Sequence, residues 1–131
     1  MRFMMLMISA AYQQAAPPGF PDATAVAAMA KYNESLSKAG ILLALDGLHP
    51  PADGARVRFG GAKPKIVDGP FTESKELLGG YWMIQVKSKA EAVEWASRCP
   101  AAAGDIIEIR QVYEMAEYPA ELRSAAGQPL K

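Results

Sequence analysis

The chain has 131 residues, half of them apolar, with 14 basic and 14 acidic side chains and a formal net charge of zero. This is one domain's worth of chain with enough apolar content to fold around a core of its own, and too little for two cores. Charge balance supplies neither the broad basic field that holds a nucleic-acid backbone nor a polybasic membrane patch. The single cysteine, Cys99, excludes an intramolecular disulfide and accords with a reducing, cytoplasmic setting.

Residues 2–9 read as a first strand. Phe3, Met5 and Met7 fall on one face, and Met4, Leu6 and Ile8 on the other. The apolar run is short for an export signal and far short of a membrane span. A strand apolar on both faces is covered on both. Helices supply one cover; a second copy of the chain is the expected other.

Pro17, Pro18, Gly19 and Pro21 rule out a regular element. Asp22 or Thr24 then caps a helix running to Ala39, with Val26, Met29, Tyr32, Asn33 and Leu36 recurring at spacings of three and four and Gly40 as the stop. Residues 41–45 form a second strand, followed by turn material at Asp46-Gly47 and Pro50-Pro51-Ala52-Asp53-Gly54. Val57 and Phe59 alternate with Arg56 and Arg58, and Lys65-Ile66-Val67 pairs with them as a hairpin across Gly60-Gly61. A loop, Asp68–Glu76, leads through Gly79-Gly80 into the strand 81–86, which sends Trp82, Ile84 and Val86 one way and Tyr81, Met83 and Gln85 the other. Ser88 with Glu91 forms a capping box for a second helix burying Ala92, Trp95 and Ala96 and ending at Pro100. Residues 105–112 are the last strand, and a polar tail follows.

This β-α-β-hairpin-β-α-β order predicts an α+β domain over 1–112, of the ferredoxin-like split βαβ type, with both helices on one sheet face and a tail over 113–131. The other face carries Tyr81 and Met83 and predicts a homodimer enclosing space between two sheets.

Chemistry-bearing residues are few. His49, the only histidine, sits between breakers and changes charge near neutral pH, so it is a candidate acid or base. Asp68 ends a strand before Gly69-Pro70, which allows close backbone approach and fixes a torsion; a carboxylate held this way suits a general base or a ligand clamp. The competing reading is a turn cap. Glu73, Lys75 and Tyr81 are candidate ligand contacts. Glu108 and Arg110 alternate with Ile107 and Ile109, and reach the same pocket if they share the Tyr81 face; a surface ion pair is the plainer alternative. Tyr32 and Asn33 read as packing residues. Cys99, at a helix C-terminus, is poorly placed for a thiolate. No metal-ligand spacing and no phosphate or dinucleotide loop is present, so no metal and no cofactor is expected.

The segment Asp68-Gly69-Pro70-Phe71-Thr72-Glu73-Ser74-Lys75-Glu76 resembles the DGPF subgroup of the YCII-related family. Gly79-Gly80-Tyr81, Glu94-Trp95-Ala96 and Cys99-Pro100-Ala101-Ala102 match as well, and the resemblance covers roughly residues 1–112. It implies a dimeric α/β barrel built from ferredoxin-like units. In the wider family a histidine–aspartate pair marks an enzyme-like site, and one branch resembles a dehydrochlorinase of chlorinated hydroxyquinones. His49 departs from that pattern, standing where relatives often carry another polar residue. Two functions remain open: a small-molecule enzyme using acid–base, lyase-like chemistry around the DGPF loop, or a non-catalytic small-ligand or regulatory module.

Overall fold

In the computed structural model, residues 1–13, 20–69 and 77–127 are described here. The elements are β1 (Arg2–Ile8), α1 (Ala23–Lys38), β2 (Leu42–Gly47), β3 (Ala55–Arg58), β4 (Lys65–Asp68), β5 (Leu78–Gln85), α2 (Lys89–Ser97), β6 (Ile106–Gln111) and α3 (Ala120–Ala125). The fold is α+β. Four strands form an antiparallel sheet in the order β2-β5-β1-β6, and β3 and β4 form a separate two-stranded ribbon.

The two longer helices, α1 and α2, begin where capping chemistry places them. The Asp22 carboxylate accepts the Ala25 N–H at 2.8 Å, satisfying one of the donors a helix start leaves open. At the other end of α1, Gly40 takes φ +74°. Its N–H reaches the Ser37 carbonyl and the Ile41 N–H reaches the Leu36 carbonyl, at 3.0 and 3.2 Å. This paired closure needs a left-handed residue, hence glycine. At α2, Ser88 accepts the Glu91 N–H at 3.1 Å, while the Glu91 carboxylate accepts from the Lys87 N–H at 3.0 Å. The reciprocal cap thus closes one residue earlier than the expected capping box.

Strand alternation divides the sheet into two faces. Register sets Phe3 opposite Ile84, Met5 between Trp82 and Ile109, and Met7 opposite Ile107. These side chains meet Tyr32 and Leu36 of α1 and Ala92 of α2 in one core. Phe3, Met5, Leu36 and Ile84 are fully buried, each contributing about 1.5–3 kcal/mol by leaving water. Polar atoms within this layer are matched. The Tyr32 hydroxyl donates to the Trp95 carbonyl and the Trp82 indole N–H to the Asn33 side-chain oxygen, both at 2.8 Å. Tyr32 and Trp82 also meet edge to face, with ring centroids 5.9 Å apart.

Three expectations shift. Val26, on the predicted stripe of α1, is 52% exposed; residue spacing does not reveal how far along a helix the sheet extends. Asp46-Gly47 belongs to β2 rather than to a turn, with Asp46 opposite Tyr81 and Gly47 opposite Gly80. Gly79-Gly80 likewise lies inside β5. A Cβ on Gly80 would come within 2.9 Å of the Asp46 carbonyl oxygen, and one on Gly79 within 3.0 Å of the Ser9 Cβ. This pair of glycines lets strand and neighbours close up.

After β6, the Val112 N–H bonds the Arg2 carbonyl at 2.9 Å. The Arg2 guanidinium grips both Glu114 carboxylate oxygens at 2.7 and 3.1 Å. Glu114 and Glu117 then form a reciprocal cap on a short 3-10 turn, and α3 follows.

Candidate functional site

Opposite the core, the sheet presents Met4, Leu6, Tyr81 and Met83 half-buried, with Asp46, Glu108 and Arg110 exposed. Register fixes the arrangement. Leu6 lies between Tyr81 and Glu108, Met4 between Met83 and Arg110, and Asp46 beyond Tyr81. Tyr81, Glu108 and Arg110 therefore share one face, as the alternation of their strands requires. An apolar floor with polar groups along its sides is the composition of a small-molecule site.

The best-defined polar contact on this face is the Tyr81 hydroxyl donating to the Asp46 carboxylate at 2.7 Å. That hydrogen bond, followed by the charge of Asp46, raises the Tyr81 pKa above the ordinary phenol value. The phenol is thereby kept protonated with a fixed orientation. Across the face, Arg110 reaches Glu108 at 3.3 Å, a loose pair in which both side chains stay open to solvent. Arg2 and Glu114 close the end of this face, and the pair holds the Glu114 carboxyl below its ordinary range.

His49 and Asp68 lie to one side, around the turn Pro51–Asp53. His49 Nδ1 stands 3.1 Å from an Asp53 carboxylate oxygen, with the imidazole 89% exposed. The described partner of His49 is thus Asp53, and no hydrogen bond joins it to Asp68. Asp68 ends β4 opposite Ala55 and is exposed. Gly69 explains the glycine of the motif. Its N–H donates to the Gly54 carbonyl at 3.0 Å, and a Cβ there would stand 1.7 Å from the Pro51 carbonyl oxygen. Only a residue without a side chain lets the end of β4 seat on this turn, which carries Asp68 to the same region as His49. Glu73 and Lys75, with the rest of 70–76, lie outside the described residues.

Asp46 is the residue that reading the sequence missed. Asp-Gly after a short apolar run has the signature of a turn, and nothing local shows that β2 continues through it. A useful signal was the unusual Gly79-Gly80-Tyr81 start of β5, whose glycines accommodate the close approach of that continuation.

Elsewhere the chemistry is muted. Burial pushes the Cys99 thiol up to about 11, assisted by the charge of Asp105, so it is a poor nucleophile at neutral pH. Burial in the core likewise pushes the Tyr32 phenol up. A shallow cleft of about 280 Å³ lies between α2 and β6, bordered by Val93, Ala96, Asp105 and Ile107. Its one carboxylate, Asp105, accepts from the Ala10 and Ala102 N–H groups at 2.9 and 3.0 Å and serves structure. Among the described residues no trio of His, Cys, Asp or Glu side chains is gathered to hold a metal ion. No described helix is long and apolar enough to cross a membrane.

An antiparallel four-stranded sheet with α1 and α2 packed on one face defines an α+β protein. The description of the YCII-related domain matches residues 1–116, and the chain belongs to the YCII-related family. No curated protein matches it.

Proposed function

We propose that this protein is a small-molecule enzyme of acid–base, lyase-like type, acting on the outer face of its sheet. The observation that carries the reading is the Tyr81–Asp46 hydrogen bond of 2.7 Å beside the apolar floor of Leu6 and Met83. Tyr81 is the proton donor that orients an acceptor oxygen of the substrate, with Asp46 fixing its hydroxyl. Asp68, at the end of β4 beside the Pro51 turn, is the base, and His49 is the alternative base. Arg110, loosely engaged by Glu108, receives an anionic group. Glu73 and Lys75 complete the orientation of the substrate from the DGPF loop. Residue types of this kind transfer protons without a tightly bound cofactor.

The strand order β2-β5-β1-β6 supports the ferredoxin-like split βαβ reading. The sequence Asp68–Glu76 supports the DGPF subgroup. The half-buried Met4, Leu6 and Met83 support a homodimer of the α/β-barrel type, in which a second copy closes the open face.

Native mass spectrometry of the purified protein, followed by screening of captured metabolites for turnover, tests the function. Tyr81→Phe is expected to reduce turnover by roughly 10²–10⁴-fold, the usual worth of a positioned acid. Tight capture with no turnover, undiminished in Tyr81→Phe, would instead establish a binding module. One observation favours that second reading. No charged side chain is buried among the described residues, so none of these carboxylates is desolvated in the single chain as a tuned base commonly is.

A further inference from the structure

The rungs that bring Asp46 to Tyr81 are the last of the β2–β5 pairing, and little holds them. β2 is the outermost strand of the sheet. Beyond Asp46 the facing residues are Gly47 and Gly80, which offer no cross-strand side-chain contact. One residue further, the Leu48 N–H donates to the Gly79 carbonyl at 3.0 Å, but the Leu48 side chain is exposed. A strand end held by so few buried contacts is among the first parts of a fold to open.

Tyr12 supplies what the glycines lack. Its hydroxyl donates to the Leu48 carbonyl at 2.8 Å. Its ring lies along Gly79, where an added Cβ would stand 3.5 Å from Tyr12 Cε2. One side chain thus reaches the end of β2 through its hydroxyl and the start of β5 through its ring. Tyr12 is itself anchored, in the 3-10 turn Ala11–Gln13. The approach to that turn is pinned by the Ser9 N–H on the Leu77 carbonyl at 3.0 Å and the Ala10 N–H on the Asp105 carboxylate at 2.9 Å. His49 follows Leu48 directly, so the same contacts set where it leaves the sheet.

We infer that Tyr12 is a positioning residue for the site: by clasping Leu48 and Gly79 it holds the end of β2 on β5 and keeps the Asp46 carboxylate on the Tyr81 hydroxyl. The inference rests on the reading above in taking Tyr81 and Asp46 as the working pair, and Tyr12 acts on Tyr81 through Asp46.

NMR of the purified protein, with labelled backbone amides and tyrosine rings, tests this without a substrate. Tyr12→Phe keeps the ring and removes the donor. Hydrogen exchange at the Leu48 amide is expected to rise roughly 2–10-fold, the range for loss of one hydrogen bond, with exchange at the central Met5 unchanged. The Tyr81 phenol is expected to ionise at lower pH than in the parent protein, toward its midpoint in Asp46→Asn. Tyr12→Leu, which also takes the ring off Gly79, should extend both changes. Adding Tyr12→Phe to Asp46→Asn should leave the Tyr81 midpoint of Asp46→Asn where it is, because the two act in series. Exchange and midpoint unmoved in both Tyr12 variants would overturn the proposal. So would a faster Leu48 amide with the Tyr81 midpoint unmoved, which would leave Tyr12 a clasp for the strand end alone. A rise that includes Met5 would overturn it too, since Tyr12 would then support the fold as a whole. Neither readout depends on turnover, so a protein that binds without catalysis leaves this result intact, and a negative result here leaves the acid–base reading to its own test.

Discussion

The two faces of the sheet use nearly the same residues to different ends. On β1, Phe3, Met5 and Met7 point one way and Met4 and Leu6 the other, all large and apolar. The first three are at most 9% exposed; the other two are half-buried. Inside, every polar neighbour is spoken for, by Tyr32 to the Trp95 carbonyl and Trp82 to Asn33. Outside, the polar groups form surface pairs, Tyr81 with Asp46, Arg110 with Glu108 and Arg2 with Glu114. One face is therefore a core that holds the fold. The other leaves large apolar side chains half-buried beside those surface pairs.

Substitutions on the two faces should separate these roles. Phe3→Ala empties a fully buried site and is expected to cost about 3–5 kcal/mol in urea denaturation. Met83→Ala, on the half-exposed face, is expected to cost the single chain about 1 kcal/mol or less, while lowering self-association measured by sedimentation. Equal losses of stability from the two would show that the outer face is core as well. Gly69→Ala probes the junction between ribbon and body. Its Cβ would meet the Pro51 carbonyl backbone at 1.7 Å, so one of the two segments must shift, and an intermediate loss on the order of 1–3 kcal/mol is expected.

Two titrations sharpen the outer face further. The hydrogen bond to Asp46 raises the Tyr81 pKa, so its phenol should ionise above the ordinary value of about 10. Asp46→Asn should bring that midpoint down, followed by NMR of labelled tyrosine rings. By linkage, the stabilisation from this bond is fully present below the unfolded tyrosine pKa and is lost as pH rises through the raised folded one. Glu114 behaves with the opposite sign. Arg2 lowers its folded pKa, so its contribution is present above the unfolded glutamate value of about 4.3. It fades as pH falls through the depressed one. The difference in melting temperature between the protein and Glu114→Gln should accordingly be small at pH 7 and vanish in acid. A difference that persists at pH 2 would mean that Glu114 acts through packing rather than charge.

Much of this plan is legible along the chain. Period-two alternation assigned the faces of β1 and β5, because a strand's side chains have no other choice once one side is buried. Caps and breakers located both main helices within a residue or two, since Asp22, Ser88 and Gly40 act on their own neighbours. Strand alternation also allowed Tyr81 and Arg110 to share a face, as the register shows they do.

Other features depend on contacts between distant segments. Asp46 reaches Tyr81 only because β2 runs on beside β5, so that residues 35 positions apart meet. The ribbon stands apart from the sheet although its alternation is as regular as that of any other strand. Alternation, capping and turn chemistry are local and are written in adjacent residues. Which strand lies beside which, and which apolar face is left without a cover, depends on packing the whole chain at once, and the tertiary structure alone decided it.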